Sequence, residues 1–222
     1  MQVSVAGEST VRIAPERAEL HLTAGFEGED KAGVVESTVE LVGELSAELE
    51  TLTGEEGPAS RYTVGALQTR SWRPQNELGQ VLPLRYSVSV PVTVRFEDFD
   101  ELSRFASRCA ARKGLTLGHV EWQLTETTLR STRETASAAA VLNARSRALT
   151  MAKAAGFTYV MPNELGDPGL LVGSPPEGGR PLEMMRAQAS MGGGSEIDPD
   201  AIDLRPDDIV VTAVVHGRFT AG

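Results

Sequence analysis

The sequence predicts an α+β protein: a largely antiparallel mixed sheet with helices packed on one face, in the order β-β-α-β-β-α-β-α-β-β. Three observations carry this. Apolar and polar residues alternate strictly over long runs, the signature of half-buried strands. Between those runs apolar residues recur at spacings of three and four, the signature of amphipathic helices. Residues 17–128 follow the order strand, helix, strand, strand, helix, strand, which is that of a split β-α-β unit.

Taken in order, Val3–Val5 and Thr10–Ile13 read as a short strand pair separated by Gly7. From Arg17 to Glu27 the even positions Ala18, Leu20, Leu22, Ala24 and Phe26 are apolar, and the odd positions Glu19, His21 and Thr23 face the other side. Val34, Thr38, Leu41, Leu45, Leu49 and Leu52 then line a helix whose Glu36, Glu40, Glu44 and Glu48 point outward. Tyr62–Trp72 is a strand, and Leu84–Phe96 another, with Val88, Val90, Val92 and Val94 on its dry side. Pro91 cannot donate a ladder hydrogen bond, which predicts an edge position or a bulge there.

A second helix carries Leu102, Phe105, Ala106 and Cys109 on its inner stripe, launched from Glu97-Asp98 and stopped at Gly114. Val120, Trp122 and Leu124 alternate with His119, Glu121 and Gln123 in a further strand. A third helix runs from about Ser131 to Ala155, its inner face Ala140, Ala144, Ala148, Met151 and Ala155; small residues there let its backbone approach a sheet closely. The last strand, Asp208–Phe219, sets Ile209, Val211, Ala213 and Val215 on its drier side. We read 1–222 as one domain, with residues 166–207 as a Gly/Pro-rich acidic insertion marked by Pro175-Pro176 and Gly192-Gly193-Gly194. Connections this long are functional or disordered. Within this one, Leu182–Ala189 suits a short helix or docking segment.

Composition removes several functional classes. With 21 basic and 31 acidic residues the net charge is −10, against a nucleic-acid binder and against a polybasic membrane anchor. No apolar run approaches the ~20 residues of a spanning helix, so no integral membrane segment is expected. The one cysteine, Cys109, excludes an internal disulfide framework and multi-cysteine metal sites. The start Met1-Gln2-Val3-Ser4-Val5 lacks a signal peptide, which places the chain in the cytoplasm; a processed periplasmic or secreted form would read the same way.

Catalytic patterns are missing: there is no phosphate-binding loop, no dinucleotide fingerprint, no H-E-x-x-H, and Ser174 after Gly173 lacks the setting of a nucleophile elbow. No catalytic, cofactor-binding or metal-ligating residue is therefore assigned, no cofactor is expected, and no enzymatic activity either. His21, His119 and His216 all fall on polar strand faces. Were those strands neighbours, the imidazoles could bind zinc or copper; solvated or interfacial histidines are the expected reading. Arg108 and Arg112 near Cys109 would activate its thiol, but its place on the helix stripe makes it a small core residue. Glu196, Asp198, Asp200 and Asp207 have calcium-loop spacing, spoiled by Pro199 and Ala201, so an acidic linker is expected. Met184, Met185 and Met191 suit adaptable packing.

Four blocks taken together resemble the SIMPL-domain family. Val3 to Ala18, with Gly7, Val11, Pro15 and Ala18 in place, Glu16 for the usual Asp and Ser9 for a second Gly, is similar to the family's opening. Tyr86–Val94 followed by Phe99-Asp100-Glu101-Leu102, the Ala139–Gly156 helix and the closing strand resemble its later segments. The family takes its name from a member that associates with a kinase of innate immune signalling. Its bacterial members are mostly periplasmic or outer-membrane associated, some linked to oxidative stress and some assembled into rings, and it has no established catalytic residues. The resemblance thus implies a non-enzymatic, self-assembling interaction protein, a homo-oligomer with a further protein partner. The alternative is a small-molecule or metal-binding protein that uses a polar sheet face with residues 166–207 as a lid.

Overall fold

The computed structural model describes residues 1–55, 57–171 and 204–222, together with the backbone of Gln188 and Ala189. The alternating runs become β1 (Gln2–Ile13), β2 (Arg17–Gly28), β3 (Ala59–Val64), β4 (Gln68–Trp72), β5 (Arg85–Phe96), β6 (Leu115–Gln123), β7 (Val160–Gly166), β8 (Gln188–Ala189) and β9 (Ile209–Ala221). The helices are α1 (Lys31–Leu52), α2 (Phe99–Ala111) and α3 (Glu126–Ala154). The class is α+β, with open antiparallel sheets. The strands divide between two of them, one ordered β1-β9-β7 and the other β3-β5-β2-β6-β8 with β4 also on β5. The chain correspondingly falls into two compact units: Met1–Ala14 with Leu124–Arg186 and Asp207–Gly222, and Pro15–Gln123 with Ala187–Pro206.

In the first unit α3 packs on β1 and β9. Its buried line is Thr132, Ala136, Ala140, Ala144, Ala148 and Ala152, one residue every four, which is a single ridge running obliquely along the helix. That register leaves Met151 about half exposed and Ala155 as the exposed C-cap, correcting their assignment to the inner face. The helix also begins earlier than its periodicity suggests, because the Thr125 hydroxyl accepts from the Thr128 amide (3.2 Å) as N-cap. Val3, Val5, Val160 and Phe219 fill the space beneath the alanines. Gly7 does not divide two strands. β1 is continuous through it, and a Cβ there would lie 2.1 Å from the Ala140 carbonyl oxygen and 2.4 Å from the Ala144 nitrogen. The glycine exists so that strand and helix backbones can touch.

The second unit places α1 and α2 over the apolar face of its sheet, formed by Ala18, Leu20, Leu22, Val88, Val90, Val92, Val94, Phe96, Val120 and Trp122. Asp30 caps α1 by accepting from Ala32 and Gly33 amides, and Asp98 caps α2 by accepting from Asp100 and Glu101. Pro91 is neither at an edge nor in a bulge: β5 is flanked by β2 and by β3 and β4. The expected strand Tyr62–Trp72 is in fact β3 and β4 with a break between them, and Pro91 sits opposite that break. Its carbonyl accepts from the Gly65 amide at 2.8 Å, so its own missing N–H faces the gap where no partner strand needs it.

Candidate functional site

With one face of the second unit's sheet committed to α1 and α2, the other is left with the polar residues of the alternation. Register aligns them in rows across the strands. Arg61 of β3 pairs with Arg95 of β5, Arg95 with Glu19 of β2, and Glu19 with Glu121 of β6. The next row holds Thr63, Thr93 and His21. Opposite His21 the β2–β6 register slips between Leu20 and Leu22, so that Gly118 and His119 both fall against one residue of β2. This is the two-against-one arrangement of a β-bulge, a device that re-aims a side chain. Gly118 permits it, since a Cβ there would meet the His21 carbonyl oxygen at 2.8 Å.

The bulge brings the His119 ring onto His21, stacked with centroids 4.3 Å apart and planes 12° from parallel. His21 Nε2 lies 3.7 Å from Glu19 Oε1 and 4.0 Å from Glu121 Oε2. Glu19 Oε2 is held by Arg95 at 2.8 Å. Donor atoms of His21, His119 and Glu121 lie within 4.8 Å of one another. Glu19 directly opposite Glu121 is a like-charge cross-strand pair, unfavourable by itself, and Arg95 pairs with Glu19. Beside it a recess of about 20 Å³, lined by Glu19, Arg61, Tyr62, Thr63, Thr93 and Arg95, has room for roughly one water-sized group. A larger cleft of about 730 Å³ opens near Phe26, Asp30, Glu40 and Glu44, but Asp30 is spent on capping and Glu44 on Arg112. We place the site on the sheet, where the donors converge.

The residues singled out from sequence end in different places. His21 and His119 are brought together; His216 belongs to the other unit, in register with Ala6 and Gly166. Cys109 is a buried core thiol, its pKa pushed up to about 12 chiefly by burial and then by Glu48, overriding the opposing effect of Arg108 and Arg112. Glu44 and Glu48 do not merely face solvent: Glu44 pairs with Arg112, and Glu48 with both Arg108 and Arg112 of α2. Glu196, Asp198, Asp200, Ser174, Met184, Met185 and Met191 lie outside the described residues, while Gln188 and Ala189 pair as backbone with Glu121 and Val120. Glu19, Glu121 and Arg95 were not assigned from sequence. The signal was present as Glu19-x-His21 and His119-x-Glu121, two mirrored pairs whose members share a strand face.

The second unit is thus an α+β assembly with a helix-covered apolar sheet face and a charged, histidine-bearing opposite face. The chain belongs to the SIMPL family, described as a protein of unknown function (DUF541), whose profile matches residues 3–219. No curated protein matches it. Among the described residues no helix is long and apolar enough to cross a membrane.

Proposed function

We propose that the chain is a non-enzymatic binding protein whose ligand is taken up on the polar face of the second unit's sheet. One observation carries this. Among the described residues, three buried side-chain nitrogens have no hydrogen-bond partner: His21 Nε2, Arg85 Nε and Arg95 Nε. By strand alternation and register all three residues are on this one face. Buried polar atoms are nearly always satisfied, and an orphan costs about 1–3 kcal/mol; three together are the trace of a partner that supplies what the chain does not.

Self-association, expected from the family resemblance, draws less support from the sheet edges. The outer edge of β1 is engaged by α3, with the Asn143 side chain accepting from the Glu8 amide and Arg147 donating to the Ala6 carbonyl. The β7 edge carries Pro162, which removes a donor. A thermal-shift screen of divalent metals and of carboxylate and phosphate metabolites tests the binding reading. At least one should raise the melting temperature of the wild type and lose that effect in Arg95→Leu or His21→Ala; a flat response to every compound overturns it.

A further inference from the structure

We propose that the ligand of this face is a late first-row divalent metal ion such as Zn²⁺, held by His21, His119 and Glu121 in the bulge between β2 and β6. This rests on the polar-face reading above and names its occupant. Three things point to it. The donor set, two imidazoles and one carboxylate, is one that zinc sites use, and imidazole suits the late first-row metals generally. The row from β3 to β6 runs Arg61, Arg95, Glu19, Glu121, positive at one end and negative at the other. The carboxylates beside the histidines, Glu19 and Glu121 at 3.7 and 4.0 Å from His21 Nε2, suit a cation better than an anion. The orphaned His21 Nε2 faces both at distances too long for hydrogen bonds, and a cation between them gives the nitrogen a partner.

Binding requires the donor side chains to rearrange. Tetrahedral donors about 2.0–2.1 Å from zinc stand about 3.4 Å apart, against the 4.8 Å within which the three donor atoms already lie. Because stacked rings cannot both aim a ring nitrogen at one ion, binding requires the partly exposed His21 ring and the exposed His119 ring to turn out of their stack. Three protein ligands leave at least one coordination position open, and Glu19, released from Arg95, is the carboxylate best placed to reach it.

The test is calorimetric titration of the chelator-treated full chain with Zn²⁺, with Ca²⁺ as a control. One Zn²⁺ per chain should bind. His21→Ala and His119→Ala should each weaken binding by at least about tenfold, with Glu121→Gln also weaker, while His216→Ala in the other unit changes nothing. Unaltered tryptophan emission, from Trp72 and Trp122, in the variants shows that the sheet is intact. Wild-type affinity in His21→Ala, or dependence on His216, overturns the proposal, because the ion then binds elsewhere. If Zn²⁺ does not bind but a carboxylate metabolite stabilises the wild type and not Arg95→Leu, the metal centre falls and the polar-face reading stands. If neither acts, both fall.

Discussion

At the scale of single residues, position in the fold decides chemistry more than neighbours in sequence do. Cys109 has two arginines within three positions, yet burial and Glu48 outweigh them and its pKa rises from 9.0 to about 12. The neutral thiol is thus the form the native state favours. The sign follows: a folded pKa above the unfolded one gives stability that is complete below pH 9 and is lost as pH rises toward 12. Two measurements check this. A thiol reagent at pH 8 should label the native protein only on unfolding, and urea midpoints should fall between pH 8 and pH 11 more in the wild type than in Cys109→Ala. Equal alkaline losses in both proteins would mean that some other group titrates. The histidines show the same lesson reversed. Each reads as a solvated residue by itself, and only the one-residue slip at Gly118 makes a pair of them.

At the scale of elements, glycines divide by what stands opposite them. Gly7 faces the α3 backbone, where a Cβ would lie 2.1 Å from a carbonyl oxygen, whereas Gly43 on the exposed side of α1 has nothing within 4 Å. Gly7→Ala should therefore destabilise by roughly 2 kcal/mol or more, through separation of β1 from α3, while Gly43→Ala should stabilise by about 0.5–1 kcal/mol from helix propensity alone. Chemical denaturation of the two variants gives opposite signs if the packing is as described. This contrast also explains what could be read in advance. The alternation of β2 and β5 and the stripes of α1 and α2 were legible because each is a local pattern set by one apolar face. Gly7 and Pro91 read differently in sequence because their roles depend on Ala140, Ala144 and the β3–β4 break, partners distant in sequence. For the site, the polar faces carrying Glu19, His21, His119 and Glu121 were legible, but not the strand pairing that sets Glu19 against Glu121. Register between strands about 100 residues apart has no local signature.

At the scale of the whole chain, the two units differ in how sequence supplies them. The first is assembled from three separated segments, with β1 and β9 paired from Gln2↔Thr220 to Ile13↔Ile209, so it cannot close before the C terminus exists. The second draws its helices and every strand but the two-residue β8 from one continuous stretch, Pro15–Gln123. The ends of that stretch already meet. Arg17 pairs with Gln123 across β2 and β6, and the Glu16 amide donates to the Gln123 carbonyl at 3.0 Å. Cutting there leaves β3, β4, β5, β2 and β6 with α1 and α2 and their shared core, which includes Leu20, Leu45, Phe96 and Phe105. A stretch with its own core and adjacent ends meets the conditions for independent folding. A fragment of residues 15–123 should accordingly unfold cooperatively. Both tryptophans of the chain, Trp72 and Trp122, lie within it, so their fluorescence should follow that transition as it does in the full protein. Because His21, His119 and Glu121 all lie within it, Zn²⁺ should raise its midpoint, as the proposed site requires for the full chain. A fragment that folds but no longer responds to Zn²⁺ would show that residues beyond 15–123 are needed for binding. One that fails to fold would show that the second unit depends on segments outside it.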